Sequence, residues 1–386
     1  MIPYGRQDIN EADIQAVVDV LKSDWLTQGP AIPRFETAVA EYCGARHAVA
    51  ICNATAALHL ACRALGLGPG DILWTSPNTF VASANCALYC GASVDFVDID
   101  ARTYNMSVQA LREKLESAER EGCLPKIVIP VHFAGQPCEM REIKSLADRY
   151  GFYIIEDASH AIGGKYLGEP VGNCHYSNIT IFSFHPVKII TTGEGGMALT
   201  NDRELAEKIR LLRSHGITRD PAQMTSENEG GWYYQQIDLG YNYRMTDLQA
   251  ALGISQMVRL NEFIQRRHAI AAQYNEALRA LPVITPWQHP DTNSAYHLYP
   301  IRVRNQGAHL NRSMVFNRLR AVGIGANVHY IPVYEQPYYN KLGFEAGRCP
   351  EAERYYTETI SLPMYSGLTE IQQKQVVGVL EDITWT

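Results

Sequence analysis

Short apolar segments alternate with amphipathic ones through the first half of the chain, and this rhythm constrains the fold most. "DILWTS", "SVDFVDID", "KIVIPVHF", "FYIIEDA", "NITIFSF" and "GMALTN" have the length and β-branched content of buried strands. Between them, "TAALHLACRALG", "NTFVASANCALYCG", "MREIKSLADRYG" and "DRELAEKIRLLRSHG" carry apolar residues at helical spacing, most of them stopping at glycine. Apolar strands alternating with helices imply an α/β domain whose mostly parallel sheet is covered on both faces. Ligands in such sheets sit beyond the carboxyl ends of the strands. Asp157, His160, His132 and Ser183 are expected at such ends. After Gly240 the texture changes. Thr246 to Leu281 reads as one long helical run. Beyond it, "HLYPIRV", a helix near Met314 to Val322 and "ANVHYIPVY" suggest a smaller α+β unit. The expected division is 1–245, an N-terminal arm and large domain, and 246–386, the long helix and small domain.

A chain of 386 residues suits a large domain plus a smaller one. Its net charge of -7 argues against nucleic acid as the main partner. No apolar stretch reaches membrane-spanning length, and "MIPYGRQDIN" has no signal-peptide pattern, so no membrane partner and a cytoplasmic location are expected. The nine cysteines are scattered; Cys86 and Cys90 lie four apart on an expected helix with no second pair at zinc-ligand spacing. Reduced thiols and no metal are the expectation.

The chemistry centres on "FSFHPVKIITTGEGG", where Lys188 stands nearly alone among uncharged residues before a glycine-dense turn. Burying a lysine is costly, so this one is either on a partly exposed strand or an amine kept for chemistry. Asp157 closes an apolar strand thirty-one residues earlier. Taken alone it could be a helix cap. An isolated lysine and a carboxylate at neighbouring strand ends also suit an aldehyde cofactor with a pyridine ring, the lysine forming the Schiff base and the acid holding the ring nitrogen protonated. Thr55 and Ala56, in "NATAALHL", fall where the chain turns into a helix and could meet a phosphate, or Thr55 could be an ordinary cap. Ser183 could add a hydroxyl to that phosphate. Phe80, in "SPNTFVAS", could stack on a flat ring or belong to the core. Neither the P-loop pattern nor the dinucleotide-binding glycine fingerprint is present, which weakens a nicotinamide oxidoreductase reading.

Taken together, "NATAALHL", "EDASHAIG", "FSFHPVKIITTGEGG" and "LGYNYRMTDLQAALG" resemble the DegT/DnrJ-type sugar aminotransferases, and the resemblance runs from "IPYGRQDI" to at least "VHYIPVY". It implies the aspartate aminotransferase-like fold (fold type I) and pyridoxal 5'-phosphate, with pyridoxamine 5'-phosphate as the intermediate form. Lys188 matches the Schiff-base lysine, Asp157 the acid facing the pyridine nitrogen, and His160 the contact to the ring hydroxyl. Thr55, Ala56 and Ser183 match phosphate contacts, and Phe80 the stacking aromatic. Asn242 matches a residue that reaches the phosphate from a partner subunit, which implies a homodimer with shared sites. Substrate contacts are expected at Tyr4, at Asp24, Trp25, Leu26 and Thr27, at His185, and at Asn327, Val328, His329 and Tyr330. Relatives with histidine in place of the lysine act as dehydratases, and Lys188 argues against that. "IPYGRQDI", "SFHPVK", "LLRSHGI", "HLYPI" and "VHYIPVY" are similar to the branch that serves pseudaminic acid biosynthesis. The implied reaction moves the amino group of L-glutamate to C4 of a UDP-linked 4-keto-6-deoxy-N-acetylhexosamine. The alternatives are a relative acting on another UDP- or dTDP-keto-sugar, and a regulatory protein that holds the cofactor without turnover.

Overall fold

In a computed structural model of the chain, residues 1–304 and 310–385 are described. Seven strands form the central sheet: β1 (His47–Ile51), β2 (Ile72–Thr75), β3 (Ser93–Phe96), β4 (Ile127–Ile129), β5 (Tyr153–Asp157), β6 (Ile179–Ser183) and β7 (Gly196–Thr200). Their spatial order is β1-β7-β6-β5-β4-β2-β3. All pairings are parallel except those of β7, which runs antiparallel to both neighbours.

Alternation along the strands explains the two covered faces. Ile127, Ile129, Ile155, Ile179 and Ile181 share one core with α3 (Ala54–Ala64), α4 (Ala82–Tyr89) and α7 (Arg203–Arg213). Val128 and Ile154 face the other way, into a core with α5 (Val108–Glu121) and α6 (Met140–Tyr150). Phe182, Met197 and Leu199 share that second face with α2 (Ala31–Cys43) and α8 (Asp247–Val258). The adjacent acids Glu156 and Asp157 must therefore leave β5 on opposite faces. That geometry decides their different fates.

The expected helices start where side chains can satisfy free N–H groups. Asn53 caps α3 by accepting from Ala56 N at 2.8 Å, so the cap is Asn53 and not Thr55. Asp202 caps α7, and Thr246 caps α8 with a capping box to Gln249. The long helical run is two helices, α8 and α9 (Leu260–Ala277), broken at Arg259. No glycine or proline marks this break. The Arg259 guanidinium is instead committed to Asp8 and Asp13, whose residues lie far away in the chain. The "NTFVASANCALYCG" segment becomes helical only at Ala82 and leaves Thr79 and Phe80 in the preceding turn.

A second core surrounds three antiparallel strands, β8 (Val283–Ile284), β9 (Tyr299–Val303) and β10 (Thr359–Leu362), with the helices Arg312–Ala321 and Glu370–Trp385. Helix α9 joins the two cores: Leu260 and Phe263 pack into the first, Ile270 and Tyr274 into the second. The N-terminus returns to the second core, where Ile2–Pro3 pairs in parallel with Ile324–Gly325. The expected strand in "ANVHYIPVY" reduces to a bridge between Asn327 and Ser361. No helix among the described residues is long and apolar enough to cross a membrane.

Candidate active site

Strand β6 leads into a loop that folds back to β7, and this loop carries Lys188. Phe184 N donates to Gly195 O at 2.9 Å and Thr192 N to Phe184 O at 3.0 Å, which closes the loop's base. Buried Ile189 and Ile190 anchor the residues after the lysine. At the start of β7, a Cβ on Gly196 would lie 2.5 Å from the carbonyl carbon of Asn53 and 2.7 Å from Ala54 N. Only glycine lets the lysine loop's exit pass so close to the start of α3.

The loop opens on a cavity of about 960 Å³. Lys188, Asp157, His160, Ser183, Thr55, Ala56 and Phe80 all line it, as do Tyr4, His185, Asn327, Val328, His329 and Tyr330. Phe80 is 59% exposed, so it is not a core residue but a ring presented at the cavity. Asp24, Trp25, Leu26 and Thr27 do not line the cavity, and neither does Asn242, which bridges to Ser214 instead. Trp25 and Leu26 are exposed. Of the four polar groups expected at strand ends, His132 is the exception. It is fully buried on the opposite face, with Nε2 2.7 Å from Glu156 Oε2 and Nδ1 accepting from Cys138 N at 3.1 Å. The face alternation of β5 sends Glu156, and with it His132, away from the cavity.

Electrostatically the site is built around a cation that burial makes weak. Lys188 is partly exposed because it faces the cavity, yet desolvation of its amine brings the pKa from 10.5 down to about 8, against the opposing pull of Asp157. Asp157 is 5% exposed and accepts from Ser83 Oγ at 2.6 Å and from Ser159 N at 3.1 Å. His160 is buried and held neutral, first by desolvation and then by the Lys188 charge. Its Nε2 lies 3.4 Å from the Tyr330 hydroxyl, and its Nδ1 has no protein partner. Burial brings His329 down to about 3; its Nδ1 sits 2.8 Å from Ser361 Oγ, and its ring is 5.4 Å from that of Tyr4.

Three groups at the site escaped the sequence reading. His297 packs its ring 4.4 Å from that of His160. It is placed by Arg267, a buried guanidinium that donates to the carbonyls of Tyr296, His297 and Met364 at 3.0, 3.2 and 3.1 Å. Ser83 is the third, and the period of α4 could have pointed to it, because it lies on the buried face of the first turn.

The whole chain is similar to proteins of known description. Residues 7–381 match the DegT/DnrJ/EryC1/StrS aminotransferase family. The Bacillus subtilis spore coat polysaccharide biosynthesis protein SpsC is 41% identical over 99% of this chain and 97% of its own. The UDP-4-amino-4,6-dideoxy-N-acetyl-beta-L-altrosamine transaminase of Campylobacter jejuni is 38% identical over the same shares of the two chains. Among solved structures, Helicobacter pylori PseC, an aminotransferase of pseudaminic acid biosynthesis, superposes with a TM-score of 0.90 at 30% identity, covering 100% of this chain and 99% of that one. A putative sugar aminotransferase from Streptococcus pneumoniae, Spr1654, solved in its PMP-form, gives the same TM-score, identity and coverage. The chain has the fold of these enzymes throughout, and it belongs to the DegT/DnrJ/EryC1/StrS aminotransferase family.

Proposed function

We propose that this protein transfers the amino group of L-glutamate to C4 of a UDP-linked 4-keto-6-deoxy-N-acetylhexosamine, with pyridoxal 5'-phosphate as cofactor, in a pathway to pseudaminic acid. The observation that carries the reading is a single cavity faced by a lysine of lowered proton affinity and a buried carboxylate. The residues fit the cofactor. His160 lines the cavity and keeps a ring nitrogen without a protein partner, so it has hydrogen-bonding capacity left for a ring hydroxyl. The first turn of α3, with its helix dipole and Thr55, suits the phosphate together with Ser183, and Phe80 offers a face for the ring.

When bound, pyridoxal phosphate supplies an aldehyde that takes up an amine and a protonated ring that absorbs the electrons of a carbanion. Asp157 would accept a hydrogen bond from the protonated ring nitrogen and keep it charged. Lys188 would act as the base that takes the proton from the carbon bearing the amino group and returns it on the other side of the exchange. An amine with a pKa near 8 has a substantial neutral fraction near neutral pH, which that role requires. The desolvated His160 and His329 stay neutral beside Lys188 and do not compete with it as cations. Tyr4, Asn327, His329 and Tyr330 form a wall against which the sugar is held. Asn242 belongs to the cofactor site of a second copy, so the working unit is a homodimer with shared sites.

The test is the visible spectrum of the purified protein. A cofactor band that bleaches with L-glutamate and returns with the UDP-linked 4-keto-sugar supports the proposal. A protein without such a band, or one whose band ignores glutamate, refutes it. The similarity to SpsC favours a second reading, a different nucleotide-linked keto-sugar as acceptor. Return of the band with another UDP- or dTDP-keto-sugar, and not with the first, would establish that alternative.

A further inference from the structure

The turn between β2 and α4 carries two hydroxyls that the chemistry above leaves without a task. Thr79 and Ser83 are buried, at 3% and 0% exposure, and their Oγ atoms lie 2.8 Å apart. Ser83 Oγ is also 2.6 Å from Asp157 Oδ2. A carboxylate oxygen only accepts, so the Ser83 proton points at Asp157. Ser83 has one proton to give, so toward Thr79 it accepts, and the direction of both bonds is settled. The remaining contact, Ser83 Oγ to Phe80 O at 3.4 Å, is too long to compete.

Each Asp157 oxygen then has one donor, Ser83 on Oδ2 and Ser159 N on Oδ1. The carboxyl torsion of an aspartate is otherwise broad, so two donors are what hold its plane. Hydrogen bonds to a charged acceptor are the stronger kind, and a second hydroxyl behind the first reinforces it. The same turn carries Phe80, whose ring faces the cavity between the two hydroxyl-bearing residues. We infer that Thr79 and Ser83 are positioning residues, a two-hydroxyl relay that aims the Asp157 carboxylate at the ring nitrogen of the cofactor from the turn that presents Phe80 to the ring face. The inference rests on the pyridoxal phosphate chemistry proposed above.

Equilibrium titration of the cofactor-free protein with pyridoxal phosphate, followed by visible absorbance across pH, tests it without reference to turnover. Ser83→Ala removes the donor and is expected to weaken binding by about 10- to 100-fold and to move the pH midpoint of the visible band. Thr79→Val keeps the shape and removes the supporting hydroxyl; the same shift at smaller size is expected, and unchanged binding takes Thr79 out of the relay. In an Asp157→Asn background, Ser83→Ala is expected to add nothing, because its effect runs through the carboxylate. The inference is overturned if Ser83→Ala binds like wild type with the same midpoint. It is equally overturned if the loss persists undiminished beside Asp157→Asn, which would make the hydroxyl a mere support of α4. A wild-type protein with no visible band sinks the proposed function itself, whereas a normal wild-type band with a silent Ser83→Ala sinks only the relay.

Discussion

An amine that titrates near 8 instead of 10.5 reacts very differently at neutral pH, and Lys188 allows this to be measured without cofactor or substrate. At pH 7.5 a pKa of 8 leaves roughly a quarter of the amine neutral, against about one molecule in a thousand for an ordinary lysine. Competitive acylation of the cofactor-free protein, with each lysine's labelling read by mass spectrometry, reports that fraction directly. Lys188 should label with a pH midpoint near 8 and, at pH 7.5, over 100-fold faster than its pKa of origin would allow. Asp157 is the one charge that raises the Lys188 pKa, so Asp157→Asn should move the midpoint further down. Linkage gives the same shift a stability signature. Below pH 8 the amine is protonated in both states and the folded protein bears the full desolvation cost. Between about 8 and 10.5 the unfolded chain binds more protons, so stability rises with pH in that window. At 1.36 kcal/mol per pKa unit the cost is roughly 3 kcal/mol at neutral pH, an upper figure because the side chain opens on the cavity. Lys188→Met should therefore be more stable than wild type to urea at pH 7, with the gap closing by pH 10.5. A labelling midpoint near 10.5, or an upward move in Asp157→Asn, would refute the burial argument.

Other expectations follow from neighbouring geometry. Lys188→Arg should lose all transamination, since a guanidinium does not become a neutral base at working pH; measurable amino transfer by that variant would contradict the role of the lysine. Gly196→Ala should force the lysine loop and the start of α3 apart, costing on the order of 1–3 kcal/mol and weakening phosphate-dependent cofactor binding, as denaturation and titration would show. His132→Ala should destabilise by about 1–3 kcal/mol, because it removes a hydrogen bond to the buried Glu156 carboxylate and leaves Ser177 and Thr180 as its side-chain donors. Burial pushes the Glu156 pKa up, but these partners outweigh it and the net direction is down. Its contribution is thus present above the ordinary carboxylate value of 4.5 and lost as pH falls through the folded one. Urea midpoints should show wild type weakening below pH 4.5, with the gap between wild type and His132→Ala narrowing over that range.

Much of this site could be read before any coordinates. Lys188 stood out because a charge in an apolar stretch followed by glycines has few structural excuses, and Asp157 because an acid ends a strand whose carboxyl edge faces ligands. The strand alternation also held information that was left unused. Period two puts Asp157 on the face of Ile155 and Glu156 on that of Ile154, so one acid of the pair had to be structural. His132 does follow the carboxyl end of β4, but its ring pairs with Glu156 on the far face. The break at Arg259 was invisible, because no helix-breaking residue marks it and the contacts Arg259 makes there are to Asp8 and Asp13, far away in the chain.

What the amino-acid order determined alone is whatever depends on neighbours in the chain. That includes the strand and helix periods and the lysine set apart by its surroundings. Only the folded chain decided which side chains meet. Ser83 reaches Asp157 across 74 positions, His297 comes to rest on His160, and Asn242 with the 24–27 segment stays outside the cavity of its own chain. Backbone geometry repeats every two or every 3.6 residues and so leaves a local trace. A contact between distant segments depends on how whole layers pack, and no short window of sequence records that.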